Sequence, residues 1–230
     1  MKKITTLILL LFSAASFAQK SEVRDVETFT ALTLNVPGTV YLTQASTQKV
    51  ELKGSEETLD KIELEVRNGR LIIKTQDNGS WFRWNDLGDF EIYISVNELK
   101  QIHVAGSGRI YGENTFKTDE MELDISGSGK MELKVDAKYV DASISGSGDM
   151  EIEGNTSELE VRISGSGDIH AEDLVSKSCE ARISGSGKCE VNVAERLDVR
   201  ISGSGSVYYR GNPNHVDSST SGSGKVRKIS

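Results

Sequence analysis

An all-β fold is expected: a parallel β-solenoid, or β-helix, with coils of about 19 residues and an N-terminal region of degenerate coils or a β cap. Three observations lead there. Gly-Ser-Gly recurs seven times, at 106–108, 127–129, 146–148, 165–167, 185–187, 203–205 and 222–224, at intervals of 18 to 21 residues. Apolar and polar residues alternate on both sides of most triplets, which is the period of a strand with one face buried. No segment carries an amphipathic helix of useful length.

The chain of 230 residues opens MKKITTLILLLFSAASFAQK, with two lysines, an apolar run from Ile4 to Phe12, and small residues up to Ala18. That is the pattern of a secretory signal peptide over residues 1–18, cleaved after Ala18. No Cys follows the expected cleavage site, which argues against a bacterial lipid anchor. No later segment approaches the ~20 apolar residues needed to span a bilayer. The expected product is an exported, soluble protein, in the periplasm or at the cell surface.

Loss of Lys2 and Lys3 moves the formal net charge from −8 to −10. A chain this acidic repels nucleic acid and anionic lipid. Cys179 and Cys189 are the two cysteines, too few for a disulfide framework or a zinc cluster. They could pair in an oxidising compartment or remain as buried thiols.

Residues 19–95 read as strands that do not repeat regularly. FTALTLNV, TVYLTQ, KVELKG, KIELEV, RLIIKT and FEIYISV alternate or run apolar, with turns at Pro37-Gly38, Asn68-Gly69 and Asp77-Asn78-Gly79. Ser55 to Ile62, SEETLDKI, is the one fair candidate for a helical turn. Gly38–Leu42 and Gly69–Ile73 mimic the second half of a repeat, Gly148–Ile152. The region is therefore expected to continue the solenoid of residues 96–230 as degenerate coils or a cap, in one domain.

Within the repeats, an apolar residue stands two before most triplets: Ile125, Ile144, Ile163, Ile183, Ile201. Ala142, Ile144, Gly146, Gly148, Met150 and Ile152 share one parity, and Ser143, Ser145, Ser147, Asp149, Glu151 and Glu153 the other. A unit this short cannot bury its apolar face alone, but units stacked about 4.8 Å apart bury it as one column. The paired glycines, Gly106 and Gly108, Gly127 and Gly129, Gly146 and Gly148, Gly165 and Gly167, Gly185 and Gly187, Gly203 and Gly205, Gly222 and Gly224, are assigned to inward or corner sites. A side chain there would obstruct the backbone.

Val36-Pro37-Gly38-Thr39-Val40-Tyr41-Leu42-Thr43-Gln44, then Val66-Arg67-Asn68-Gly69-Arg70-Leu71-Ile72-Ile73, then the triplets from Gly106 onward, resemble one family over nearly the whole expected mature chain. The chain is similar to the auto-transporter adhesin head GIN domain family of Gram-negative bacteria. That resemblance implies a signal peptide, a β-solenoid-like fold and an adhesive role, and it carries no catalytic motif.

Stacking turns sequence columns into surface ladders. Glu122, Asp141, Glu160, Glu180, Asp198 and Asp217 form an acidic one, open to Ca²⁺ in principle. Its neighbouring column holds Arg162, Arg182 and Arg200, so the ladder is read as a solvated, partly paired face. Asp149 and Asp168 would stack about 5 Å apart, the spacing of a retaining glycosidase pair. Equivalent positions elsewhere are Arg109, Lys130, Lys188, Ser206 and Lys225, an ordinary mixed column. His103, His170 and His215 lie in different coils without metal-ligand spacing. No catalytic residue, metal site or cofactor is assigned.

The exceptional segment is NGSWFRWNDLGD, Asn78 to Asp89, which holds both tryptophans. Trp81, Phe82, Arg83 and Trp84 are the candidate ligand-binding residues, because aromatic rings and guanidinium dominate binding hot spots. The same segment could instead cover an open solenoid end. The expected function is a non-catalytic surface for cell-envelope polysaccharide or a surface protein. A polysaccharide hydrolase or lyase, or a structural or small-lipid-binding envelope protein, are the alternatives.

Overall fold

The computed structural model describes residues 20–76 and 87–229. The chain is a parallel β-solenoid of about seven turns. Its repeat coils are single long strands that pair in parallel with the coil before and after: β9 (Arg109–Gly127), β10 (Lys130–Gly146), β11 (Asp149–Gly165), β12 (Asp168–Gly185) and β13 (Lys188–Gly203). The last coils are shorter pieces, β14 (Ser206–Arg210), β15 (His215–Gly222) and β16 (Lys225–Lys228).

Register explains the sequence columns. Ile144 pairs with Ile125 on one side and Ile163 on the other, and the row continues through Ile183 and Ile201. These residues are buried, as are Met150 and Ile152 of the same parity. The column ends in polar residues: Ser218 and Thr220 of β15 stand opposite Val199 and Ile201. That change closes the apolar stack with groups that tolerate water, as terminal repeats must.

Each triplet joins coils by backbone hydrogen bonds. Ser166 N–H donates to Gly146 O over 2.8 Å, and Asp168 N–H to Gly148 O over 3.0 Å. Gly165 has φ +123°, and a Cβ built there would lie 2.4 Å from Gly146 O, the acceptor of that ladder. Gly148 instead faces the interior, where a Cβ would meet Ile125 Cγ2 at 2.5 Å. One glycine permits the corner and the other lets the preceding isoleucine close the core.

The N-terminal strands join the same sheet, but not in chain order. These are β1 (Lys20–Arg24), β2 (Ala31–Leu34), β3 (Thr39–Gln44), β4 (Lys49–Gly54), β5 (Ile62–Arg67), β6 (Arg70–Thr75), β7 (Phe90–Val96) and β8 (Gln101–Gly106). The coil made of β2 and β3 lies between the coil of β6 and β7 and the coil that begins with β8. Antiparallel strands close this end, β1 on β4, β4 on β7 and β5 on β6. The β5–β6 hairpin turns at Asn68 and Gly69, both at positive φ.

Ser55 begins a short helix, α1 (Glu56–Asp60), its Oγ accepting from Thr58 N–H. One expectation is corrected: Gly69–Ile73 does not match the second half of a repeat. Leu71 and Ile73 pair with Leu32 and Leu34, which pair with Ile102 and Val104, and so belong to the first-half ladder. Two apolar residues at alternate positions suit either ladder, and the β5–β6 hairpin decides between them. Gly38–Leu42 does lie on the second-half ladder, Val40 pairing with Ile110 and Ile110 with Met131.

Candidate functional site

A shallow trough of about 570 Å³ crosses five consecutive coils, from Ser143 to Ser221. Its walls are two outward columns on one face. Arg162, Arg182 and Arg200 form the first, and Ser145, Ser164, Ser184 and Ser202 the second, with each neighbour one coil apart in register. The alternation that buries Ile144, Ile163, Ile183 and Ile201 necessarily turns these polar groups to solvent. At a strand spacing of ~4.8 Å the trough extends about 19 Å along the stack.

The acidic ladder borders it. Glu122, Asp141, Glu160, Glu180, Asp198 and Asp217 are register neighbours in sequence. Arg162 bridges Asp141 and Glu160; Arg182 bridges Glu160 at 2.6 Å and Glu180 at 2.5 Å. Arg200 is held only at 3.6 Å from Glu180 and its side chain is 68% exposed. A guanidinium carries five N–H donors, so these pairings leave donors over for a ligand.

Environment splits the ladder's carboxyls. Burial pushes Asp141 above the usual carboxylate range, against the opposing pull of Arg162, and its Oδ1 is buried with no donor. Glu122 is raised by burial and by Asp124 beside it. Burial acts on Glu160 in the same sense, but hydrogen bonds from Tyr139 and from Arg162 outweigh it and hold Glu160 below its ordinary value. Stability from Glu160 is therefore present at neutral pH and lost as pH falls through its lowered pKa. The raised Asp141 works oppositely, favouring the fold when protonated and losing that contribution as pH rises through its pKa. Carboxyl NMR titration is expected to find Asp141 above the ordinary value of an aspartate and Glu160 below that of a glutamate, and Arg162→Ala is expected to raise both. An Asp141 at or below its ordinary value, or a Glu160 at or above its own, would contradict this reading of the ladder.

Asp149 and Asp168 are in register on β11 and β12. Cationic and donor groups surround them: Lys130 Nζ lies 3.9 Å from Asp149, His170 Nε2 lies 3.6 Å from it, and Lys188 N–H donates to Asp168 Oδ1 over 3.0 Å. Both acids therefore sit in a mixed, partly paired surface column. Trp81, Phe82, Arg83 and Trp84 lie outside the described residues, as does the expected signal peptide. The strands that flank the tryptophan segment, β6 and β7, make the outermost parallel coil. Cys179 and Cys189 are buried and unbridged, and burial drives both thiols well above their ordinary range.

Two arrangements escape a linear reading. Tyr41 is stacked between Tyr93 at 5.0 Å and Tyr111 at 5.8 Å, and Lys53 Nζ covers the outer face of this stack 3.9 Å from the Tyr93 ring. The rings spend their faces on one another, so this ladder stiffens the sheet. His170 Nδ1 lies 2.7 Å from Glu190 Oε2, and Glu172 completes a group whose potential ligand atoms lie within 4.8 Å of one another. Among the described residues no helix is long and apolar enough to cross a membrane.

Solved structures of bacterial proteins share this fold. A putative adhesin from Bacteroides fragilis aligns with TM-score 0.84 at 24% identity, over 93% of this chain and 98% of that one. A putative adhesin from Parabacteroides distasonis gives 0.76 at 21%, over 93% and 98%. A putative lipid binding protein from the same species gives 0.74 at 22%, over 92% and 97%. These likenesses concern the fold. No curated protein matches the chain. The model of the family described as "Putative auto-transporter adhesin, head GIN domain" matches residues 28–213, most of the sequence, and the chain belongs to that family.

Proposed function

We propose that this chain is an exported, non-catalytic scaffold that binds an extended cell-envelope polysaccharide along the trough of Arg162, Arg182 and Arg200. The observation that carries the reading is repetition in register: a polymer lying along the stack meets a guanidinium and a serine hydroxyl at each of several coils. Modest contacts that repeat on a rigid surface add without new ordering cost. Family membership supports adhesion, and the opening MKKITTLILLL supports export.

The segment Trp81–Trp84 is the second proposed contact, since aromatic rings and a guanidinium are the side chains that dominate binding hot spots. Stacked apolar columns fill the coils, so a lipid ligand would have to lie on the surface. Immobilised envelope polysaccharide, probed with the purified chain and with analysis of released products, tests this reading. Capture without cleavage is expected, weakened at least tenfold in an Arg162/Arg182/Arg200→Ser triple variant and also weakened in Trp81/Trp84→Ala. Cleavage products that disappear in Asp149→Asn would establish the enzyme instead. Capture unchanged in the triple variant would remove the trough from the account.

A further inference from the structure

We infer that His170, Glu172 and Glu190 form a binding site for a divalent transition-metal ion, with zinc as its best match. The three residues place one imidazole nitrogen and two carboxylate oxygens within 4.8 Å of one another. One nitrogen and two oxygens is a zinc donor set that leaves a fourth position for water or a partner's group. Calcium takes six to eight oxygens and suits it poorly.

A second observation is independent of that clustering. Glu172 Oε2 is buried and accepts no hydrogen bond. A carboxylate oxygen withdrawn from water needs a donor or a cation, and leaving it bare is costly. The local backbone explains how it came to be there. Between β12 and β13 the pairing passes from Ala171–Val191 directly to Val175–Asn192, so residues 172–174 stand outside the ladder. Bulges of this kind re-aim side chains. Here Glu172 is freed beside His170, whose register partner is Glu190.

The surroundings have the form of an outer shell. With the ion on His170 Nδ1, the other nitrogen faces Asp149 Oδ2 at 3.6 Å, a carboxylate placed to fix the ring. Lys188 Nζ holds the second oxygen of Glu190, Oε1, at 2.9 Å. The ion would replace the present contact of His170 Nδ1 with Glu190 Oε2. Side-chain rotation about the bulge then brings the donors to about 2 Å from one centre. This site lies apart from the trough, and neither proposal depends on the other.

Zinc titration calorimetry on the chelator-treated chain tests the inference, with Ca²⁺ in parallel. One equivalent of Zn²⁺ is expected, with no comparable Ca²⁺ binding. His170→Ala and Glu172→Gln should each weaken Zn²⁺ by about a hundredfold, and Asp149→Asn by roughly tenfold. His103→Ala should match the parent. The His170 side chain is 31% exposed, so its variants are expected to keep the parent's unfolding profile in chelator. If His170→Ala failed that check, His170→Gln would serve. Visible absorption of bound Co²⁺, lost in the His170 variant, gives a readout that stability cannot mimic. Absence of saturable Zn²⁺ binding, or parent-like binding in His170→Ala and Glu172→Gln, would overturn the site.

Discussion

Gly165→Ala is expected to cost about 3 kcal/mol or more, while Ser166→Ala beside it costs less than ~0.5 kcal/mol. Two penalties meet at Gly165. Its φ of +123° is one that L side chains rarely adopt, and the added carbon would sit 2.4 Å from Gly146 O. That oxygen already accepts Ser166 N–H at 2.8 Å, so relief by backbone movement would break the hydrogen bond joining the coils. Ser166 is exposed and its side chain supports neither neighbour's backbone. Thermal unfolding of the two variants checks the contrast, with a drop of roughly 10 °C for Gly165→Ala and nearly none for Ser166→Ala. Equal, small drops would mean that Gly-Ser-Gly is not a stacking device.

Ile125→Ala and Gly148→Ala form the second test, because their effects should not add. Ile125 is buried and heads the isoleucine row, so truncation is expected to cost about 3 kcal/mol as transfer and cavity terms combine. Gly148→Ala alone drives a methyl to 2.5 Å from Ile125 Cγ2, an overpacking expected to cost about 2 kcal/mol. In the double variant the alanine at 148 gains the room that Ile125 vacates. Gly129 O, 3.0 Å away, keeps the relief from being complete. The double variant should therefore be more stable than the sum of the singles by about 1 kcal/mol or more. Strict additivity would show that the glycine is not where the isoleucine closes the core.

Much of this was legible in the sequence because the fold is periodic. One coil read correctly predicts the others, so the Ile row, the inward Met150 and Ile152, and the pairing of the acidic ladder with Arg162, Arg182 and Arg200 all follow from spacing and parity. What spacing could not supply is contact between unlike segments. Tyr41, Tyr93 and Tyr111 stack because the β2–β3 coil is inserted between coils that follow it in the chain, and no local pattern encodes that insertion. Gly69–Ile73 lies on the other ladder because β6 is committed to its hairpin with β5, a pairing that the alternation of Leu71 and Ile73 does not specify. The histidine group escaped because His170 and Glu190 belong to different coils, and Glu172 reaches them only through a break in register. A coil of 20 residues followed by one of 18 was the available signal for that break.

A ligand held along the trough meets a requirement that a point-like site would not impose. Binding should depend on ligand length, since each coil from Ser143 to Ser221 adds the same kind of contact. The direct measurement is calorimetric affinity for a length series of fragments cut from the captured envelope polysaccharide, with the parent and the Arg162/Arg182/Arg200→Ser variant side by side. Affinity is predicted to climb with length until a fragment spans about 19 Å, to level off beyond it, and to lose that climb in the variant. Full affinity in the shortest fragment, or an unchanged climb in the variant, would contradict the account.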